Sequence, residues 1–148
     1  MSADETASVH ATAVVSGDRG ILIRGPSGSG KSRLALDLIL AGRAGQIPPA
    51  LLIGDDRVRL TVNGDDLIVA GVPELAGKIE IRGLGIRSIG FAQQAPVAVV
   101  VDLDSGDAER LPAPQALKTM LCGLEIPRIP VGASYAALPI VLGFLTTV

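Results

Sequence analysis

The run Gly25-Pro26-Ser27-Gly28-Ser29-Gly30-Lys31-Ser32 follows an apolar stretch, Ile21-Leu22-Ile23, and precedes a segment in which Leu34, Leu38 and Ala41 return at three- and four-residue spacing. A strand, a glycine-rich turn and a helix in that order make a Walker A loop, in which consecutive backbone N–H groups wrap phosphate oxygens at a helix N-terminus. Lys31 then reaches the β- and γ-phosphates, and the Ser32 hydroxyl can ligate Mg²⁺. All eight residues are expected to contact a nucleoside triphosphate. The motif by itself does not say whether the terminal phosphate goes to water, a metabolite or a protein.

Composition narrows the partners. A chain of 148 residues has the size of one domain with a real core. Its formal net charge of −2 argues against nucleic acid, whose footprint is usually basic. Tyr135, Phe91 and Phe144 are its only aromatic residues, too few for a base-stacking platform. Cys122 is the single cysteine, so there is no internal disulfide; the expected compartment is reducing, and the thiol reads as a small buried hydrophobe. Residues 1–8 carry Asp4 and Glu5 and no apolar run, which reads as a frayed terminus and not as a signal peptide. The apolar tail, residues 136–148, is interrupted by Pro139 and Gly143 and falls short of the ~20 residues of a membrane span. It reads as a buried helix or an oligomer contact.

Along the chain, residues 9–15 read as a strand, turned at Gly17-Asp18-Arg19-Gly20 into a second one ending at Arg24. The helix after the loop is expected to stop at Gly42. Ala50-Leu51-Leu52-Ile53 has the character of a buried central strand that ends at Gly54-Asp55-Asp56, and ligands gather beyond such strand ends. Val58, Leu60 and Val62 alternate up to Asn63-Gly64 and the chain returns through Leu67-Ile68-Val69, which predicts a hairpin. Residues 73–89 are rich in glycine and charge and read as a functional loop. Residues 96–102 read as another buried strand, and residues 115–121 as helical. The fold class is α/β, a P-loop-containing central mixed sheet with flanking helices; residues 9–148 form one domain after a flexible start, with no internal repeat.

Three acids could serve the loop. Asp102 follows Val99-Val100-Val101 and matches the usual Walker B aspartate on pattern. Asp55 and Asp56 follow the Ile53 strand, and both can serve only if that strand has ended, because neighbours on a strand face opposite ways. His10 is the only histidine and fits a structural role as readily as a chemical one. Asn63 is the only asparagine, so a guanine-selective Asn-Lys-x-Asp motif is excluded.

With those residues placed, the chain resembles the C-terminal catalytic domain of bacterial HPr kinase/phosphorylase, a family that phosphorylates a serine of the phosphocarrier protein HPr. The resemblance rests on Val9-His10, on residues 25–32, on Leu52-Ile53-Gly54-Asp55-Asp56-Arg57-Val58 and on Lys78-Ile79-Glu80-Ile81-Arg82-Gly83-Leu84-Gly85-Ile86, the family signature. It is dense over residues 9–89 and weak beyond. It implies a fold of the HPr kinase/PEP carboxykinase type, ATP bound by residues 25–32, and Mg²⁺ held by Ser32 and Glu80. Asp56 would be the general base, His10 its support and Lys31 the neutraliser of γ-phosphate charge. Arg110 would match a family arginine beyond the signature, and Asp102 would be structural. It also implies an HPr-like phosphocarrier of the phosphotransferase system as partner, a cytoplasmic location and a homo-hexamer.

Two departures accompany the resemblance. The long form of the family has a further N-terminal domain, so this sequence is similar to the truncated form of alpha-proteobacteria. The family segment Pro-Val-x-Pro-Gly-Arg, tied to dephosphorylation, corresponds to Ile129-Pro130-Val131-Gly132-Ala133-Ser134, where the arginine is lost. Phosphorolysis is therefore expected less than kinase activity. A P-loop small-molecule kinase and a non-catalytic ATP-sensing module are the competing readings.

Overall fold

Alternation along the central strands sorts their side chains onto two faces, and each face carries its own core. In the computed structural model, which describes residues 6–148, Ile21 and Ile23 of β3 (Arg19–Arg24) and Val99 and Val101 of β9 (Gln94–Asp102) enter one apolar cluster. Leu22 and Val100 enter the other. A strand's period of two imposes this division.

The first cluster is roofed by α1 (Lys31–Arg43), through Leu34, Ala35, Leu38 and Ile39, and by α2 (Ala137–Thr146), through Val141. The second is closed by the sheet itself, which curls so that β5 (Val58–Asn63) and β6 (Asp66–Gly71) bring Val58, Leu60, Leu67 and Val69 over Leu22. The remaining strands are β1 (Thr6–Val9), β2 (Thr12–Ser16), β4 (Ala50–Gly54), β7 (Lys78–Ile81), β8 (Gly85–Ser88), β10 (Lys118–Leu121) and β11 (Leu124–Pro130). The main sheet runs β1-β5-β6-β9-β3-β2-β4, with β11 on β9 and β10 on β11; β7 and β8 form a separate hairpin. Strand β9 is parallel to β3 and β11 and antiparallel to β6. The mixed sheet and flanking helices agree with the α/β class expected from the sequence.

Several local expectations change. Strand β1 pairs with β5 from Thr6 onward, so only residues 1–5 of the presumed frayed start lie outside the described residues. A bend at His10 separates β1 from β2, where one strand was expected. Helix α1 passes through Gly42 to Arg43, and a Cβ on Gly42 would meet the Ala50 nitrogen at 2.7 Å; this glycine serves close packing and not helix termination. Strand β4 ends the hydrogen-bonded order and is not central. It is apolar because residues 90–92 cover its edge, with Leu52 N–H donating to Gly90 O and Ala92 N–H to Leu52 O. Residues 73–89 hold a β-hairpin anchored by buried Ile79. Residues 114–121 form a 3₁₀ turn and β10, where a helix was expected. Cys122 is exposed in the turn between β10 and β11. In α2, Pro139 sits in the first turn, where its missing N–H has no helical partner to lose. Only Val141 of that helix is fully buried. No helix among the described residues is long and apolar enough to cross a membrane.

The carboxyl ends of β3 and β9 are fastened by charge. Asp102 accepts from Arg24 Nε and Nη2 at 2.7 and 2.8 Å and from Arg128 Nε at 2.5 Å; Arg128 also donates to Asp107, Ser105 and the Ala116 carbonyl. Burial pushes the Asp102 carboxyl up, but the hydrogen bonds and charges of Arg24 and Arg128 outweigh it and hold it below its ordinary value. The Arg128 and Ser105 hydrogen bonds bring Asp107 down to about 2. Depressed carboxylates stabilise the fold above their unfolded values, near 3.8, and lose that contribution as pH falls through the folded ones. Asp102→Asn should therefore cost about 3 kcal/mol at neutral pH, because it uncovers two arginines. Urea titrations at pH 7 and at pH 3 should show a smaller acid-induced loss in the variant than in the wild type.

Candidate active site

The phosphate loop leaves β3 at Arg24, where Arg24 O accepts from Leu103 N–H at 2.8 Å. It closes on itself through Ser29 N–H to Pro26 O and enters α1 through Leu34 N–H to Gly30 O. Gly28 and Gly30 have φ of 83° and 102°, left-handed values that side chains resist. The first turn of α1 carries no acidic residue and no side-chain cap, leaving its N–H groups and positive dipole end to an anion. Lys31 is buried, and its Nζ donates to the carbonyls of Gly25 and Pro26 at 3.0 and 3.2 Å. Ser29 Oγ is buried and, among the described residues, has no hydrogen-bond partner. An orphaned hydroxyl, a tethered ammonium and an uncapped helix start together fit a polyphosphate.

Beside the loop, Asp55 gathers three elements. Its Oδ1 accepts from Ser32 Oγ at 2.6 Å and from Thr12 Oγ1 at 3.0 Å, and its Oδ2 accepts from the Glu80 backbone N–H at 2.9 Å. Buried Thr12 in turn accepts from Asp56 N–H at 3.1 Å. These contacts require β4 to stop at Gly54. A Cβ there would meet Val58 Cγ1 at 2.8 Å, and Asp56 takes a left-handed φ of 68°, a conformation aspartate tolerates better than most residues. The turn sends Asp55 toward Ser32 and Asp56 toward His10, whose Nε2 is in contact with Asp56 Oδ1. Both members of that pair are exposed, so a substrate can approach them.

A cavity of about 890 Å³ lies over the loop, lined by His10, Asp56, Glu80 and Arg82 on one side and by Val131, Gly132 and Tyr135 on another. That volume suits a nucleotide-sized ligand. Among the described residues no group of three or more His, Cys, Asp and Glu forms a metal cage. Ser32, Asp55 and Glu80 offer oxygen donors of the kind Mg²⁺ accepts alongside phosphate and water.

Of the residues singled out in the sequence, His10, Ser27 through Ser32, Asp56 and Glu80 meet at this cavity. Gly25 and Pro26 do not line it; their carbonyls accept hydrogen bonds from Lys31, which does. Arg110 does not join them; it lines a separate cavity of about 430 Å³ with Glu109, Arg128 and Phe144. Asp102 is engaged by two arginines, so its Walker B pattern does not deliver a free carboxylate. Sequence reasoning gave no place to Thr12 and left Asp55 among alternatives. A signal for Asp55 was present, since it is the first acid after the β4 run; none marks Thr12, whose role depends on pairing 43 residues away.

The family model described as HPr Serine kinase C-terminal domain matches residues 2–136. An HPr kinase/phosphorylase of Mycoplasma mycoides subsp. mycoides SC is 36% identical over 141 residues, covering 87% of this chain and 43% of that relative. One from Geobacillus thermodenitrificans is 33% identical over 135 residues, covering 84% of this chain and 41% of the relative. The chain thus spans about two-fifths of the length of these curated relatives. Among solved structures, the HPr(Ser) kinase/phosphatase from Coxiella burnetii superposes with a TM-score of 0.74 at 23% identity, over 93% of this chain and 87% of that one. This likeness establishes a shared fold.

Because Thr12 bridges Asp55 and the Asp56 backbone, Thr12→Val should leave the part-buried Asp56 N–H unpaired and destabilise the protein by ~1 kcal/mol. Thr12→Ser, which keeps the hydroxyl, should lose less. Denaturant unfolding of the two variants side by side measures the difference.

Proposed function

The chain belongs to the HPr serine kinase C-terminal domain family, and on that premise we propose that it is an ATP-dependent protein-serine kinase acting on an HPr-like phosphocarrier of the phosphotransferase system in the cytoplasm. Residues 9–148 act as one catalytic domain. The observation that supports this reading most is the exposed Asp56–His10 pair facing the phosphate-loop cavity. A nucleotide hydrolase needs no carboxylate presented to a bulky acceptor, whereas a serine hydroxyl is a poor nucleophile and needs a base within hydrogen-bond reach.

In the proposed mechanism residues 25–32 bind ATP, and Lys31 exchanges its carbonyl partners for phosphate oxygens. Ser32 and Glu80 would hold Mg²⁺, with Asp55 orienting the Ser32 hydroxyl; when bound, the ion would supply charge neutralisation on the phosphates. Asp56 takes the proton of the carrier's serine as the serine oxygen bonds to Pγ. The bond from Pγ to the β-bridging oxygen breaks, and its electron pair leaves with ADP. His10 steadies Asp56 through the contact of its Nε2 with the carboxylate. Phosphoryl transfer depends on positioning and electrostatics more than on covalent help, and this set provides both.

The reverse step, with inorganic phosphate as acceptor, uses the same Asp56 as acid. Val131 and Gly132 border the cavity, and Ala133 and Ser134 follow where the family carries its arginine. Transfer from ATP to the carrier is accordingly the principal activity. As in the family resemblance, the active form is taken to be a hexamer, which sedimentation at micromolar concentration tests directly.

Incubation with Mg²⁺-ATP and an HPr-like carrier should phosphorylate a carrier serine; ATP binding without any transfer would refute the proposal. Asp56→Asn should keep nucleotide affinity while slowing transfer by ~10²–10⁴, as read by single-turnover kinetics.

A further inference from the structure

One cation at the loop has no role in the scheme above. Arg82 follows β7, at the start of the turn into β8. Its Nη2 would lie 3.4 Å from a Cβ built on Gly28, in the middle of the phosphate loop. It is exposed and lines the loop cavity. Among the described residues no hydrogen bond or ion pair engages its guanidinium. The other cations there are committed: Lys31 to two carbonyls and Arg33 to Asp37. An arginine held over a glycine without any partner leaves its weakly hydrated, planar fork open to an incoming ligand.

The support beneath Arg82 is firm. Two residues earlier, the Glu80 N–H binds Asp55, which also binds Ser32 of the loop, and buried Ile79 anchors the strand. The hairpin is therefore indexed to the loop by hydrogen bonds, and Arg82 approaches from outside while Lys31 sits within. Guanidinium binds phosphate in a bidentate manner, and such a group beside a transferring phosphoryl stabilises the charge on its equatorial oxygens.

We propose that Arg82 clamps the terminal phosphate of the bound nucleoside triphosphate, so that the β7–β8 hairpin supplies an arginine in cis to the phosphate loop. Arg82 makes and breaks no covalent bond; it donates hydrogen bonds to terminal-phosphate oxygens and so distinguishes a triphosphate from a diphosphate. This rests on the nucleotide-binding half of the proposed function and not on the identity of the acceptor.

The test is calorimetric titration of the full chain with Mg²⁺-ATP and with Mg²⁺-ADP for the wild type, Arg82→Gln, Arg82→Lys and Arg87→Gln. Arg87 lies on the same hairpin but outside the cavity lining, so its variant controls for overall charge. Arg82→Gln should weaken ATP by at least ~10-fold, as expected for a lost charge-assisted hydrogen bond, and leave ADP within about two-fold. Arg82→Lys should fall between, and Arg87→Gln should match the wild type. Equal weakening of ATP and ADP, or no change in either, overturns the inference, as does an equal effect from Arg87→Gln. Failure of the wild type to bind ATP would overturn it together with the reading of the loop. ATP binding without phosphorylation of any carrier contradicts only the proposed acceptor, and the ATP-to-ADP ratio still decides Arg82.

Discussion

Four segments of the chain meet at one carboxylate. Asp55, just past the end of β4, accepts hydrogen bonds from Ser32 at the start of α1, from Thr12 on β2 and from the backbone of Glu80 on β7. None of these donors is near it in sequence, so the arrangement exists only when the sheet, the helix and the hairpin have all assembled. Hydrogen bonds to a charged acceptor contribute about 1.5–3 kcal/mol each. Three on one group make the loop's position a property of the whole fold. The same turn places Asp56 against His10, so the tie that orders the phosphate side also presents a base to the acceptor side.

The sheet beneath explains why the turn can stay rigid while the pair beyond it stays exposed. Apolar clusters on both faces of β3 and β9 fix the strand ends from which the loop departs. The Arg24–Asp102–Arg128 network secures the same ends at the rim. That network uses up the aspartate with the better Walker B pattern and leaves Asp55 and Asp56, on the turn after β4, to serve the loop.

What the sequence disclosed depended on how local the determining interactions were. The phosphate loop was legible because its strand, glycines and helix are contiguous, and the β5–β6 hairpin because Val58, Leu60 and Val62 alternate up to a tight turn. The β7–β8 hairpin was not, since its only buried residue is Ile79 and a single apolar anchor has no period. Residues 115–121 read as helical, but the chain there forms a 3₁₀ turn followed by β10, because residues 118–121 pair with β11. The hub acid and Thr12 lie furthest from view, for their partners are set by tertiary contacts alone.

Asp55 is where the account is most exposed to test. Equilibrium titration of Mg²⁺-ATP into Asp55→Asn, with circular dichroism confirming a folded variant, separates a hub from a bystander. If Asp55 orients Ser32 and the hairpin around the loop, affinity should drop by ~10–100-fold, the usual penalty for losing a residue that orients a ligand. Wild-type affinity in the folded variant would contradict the claim that this carboxylate holds the site together.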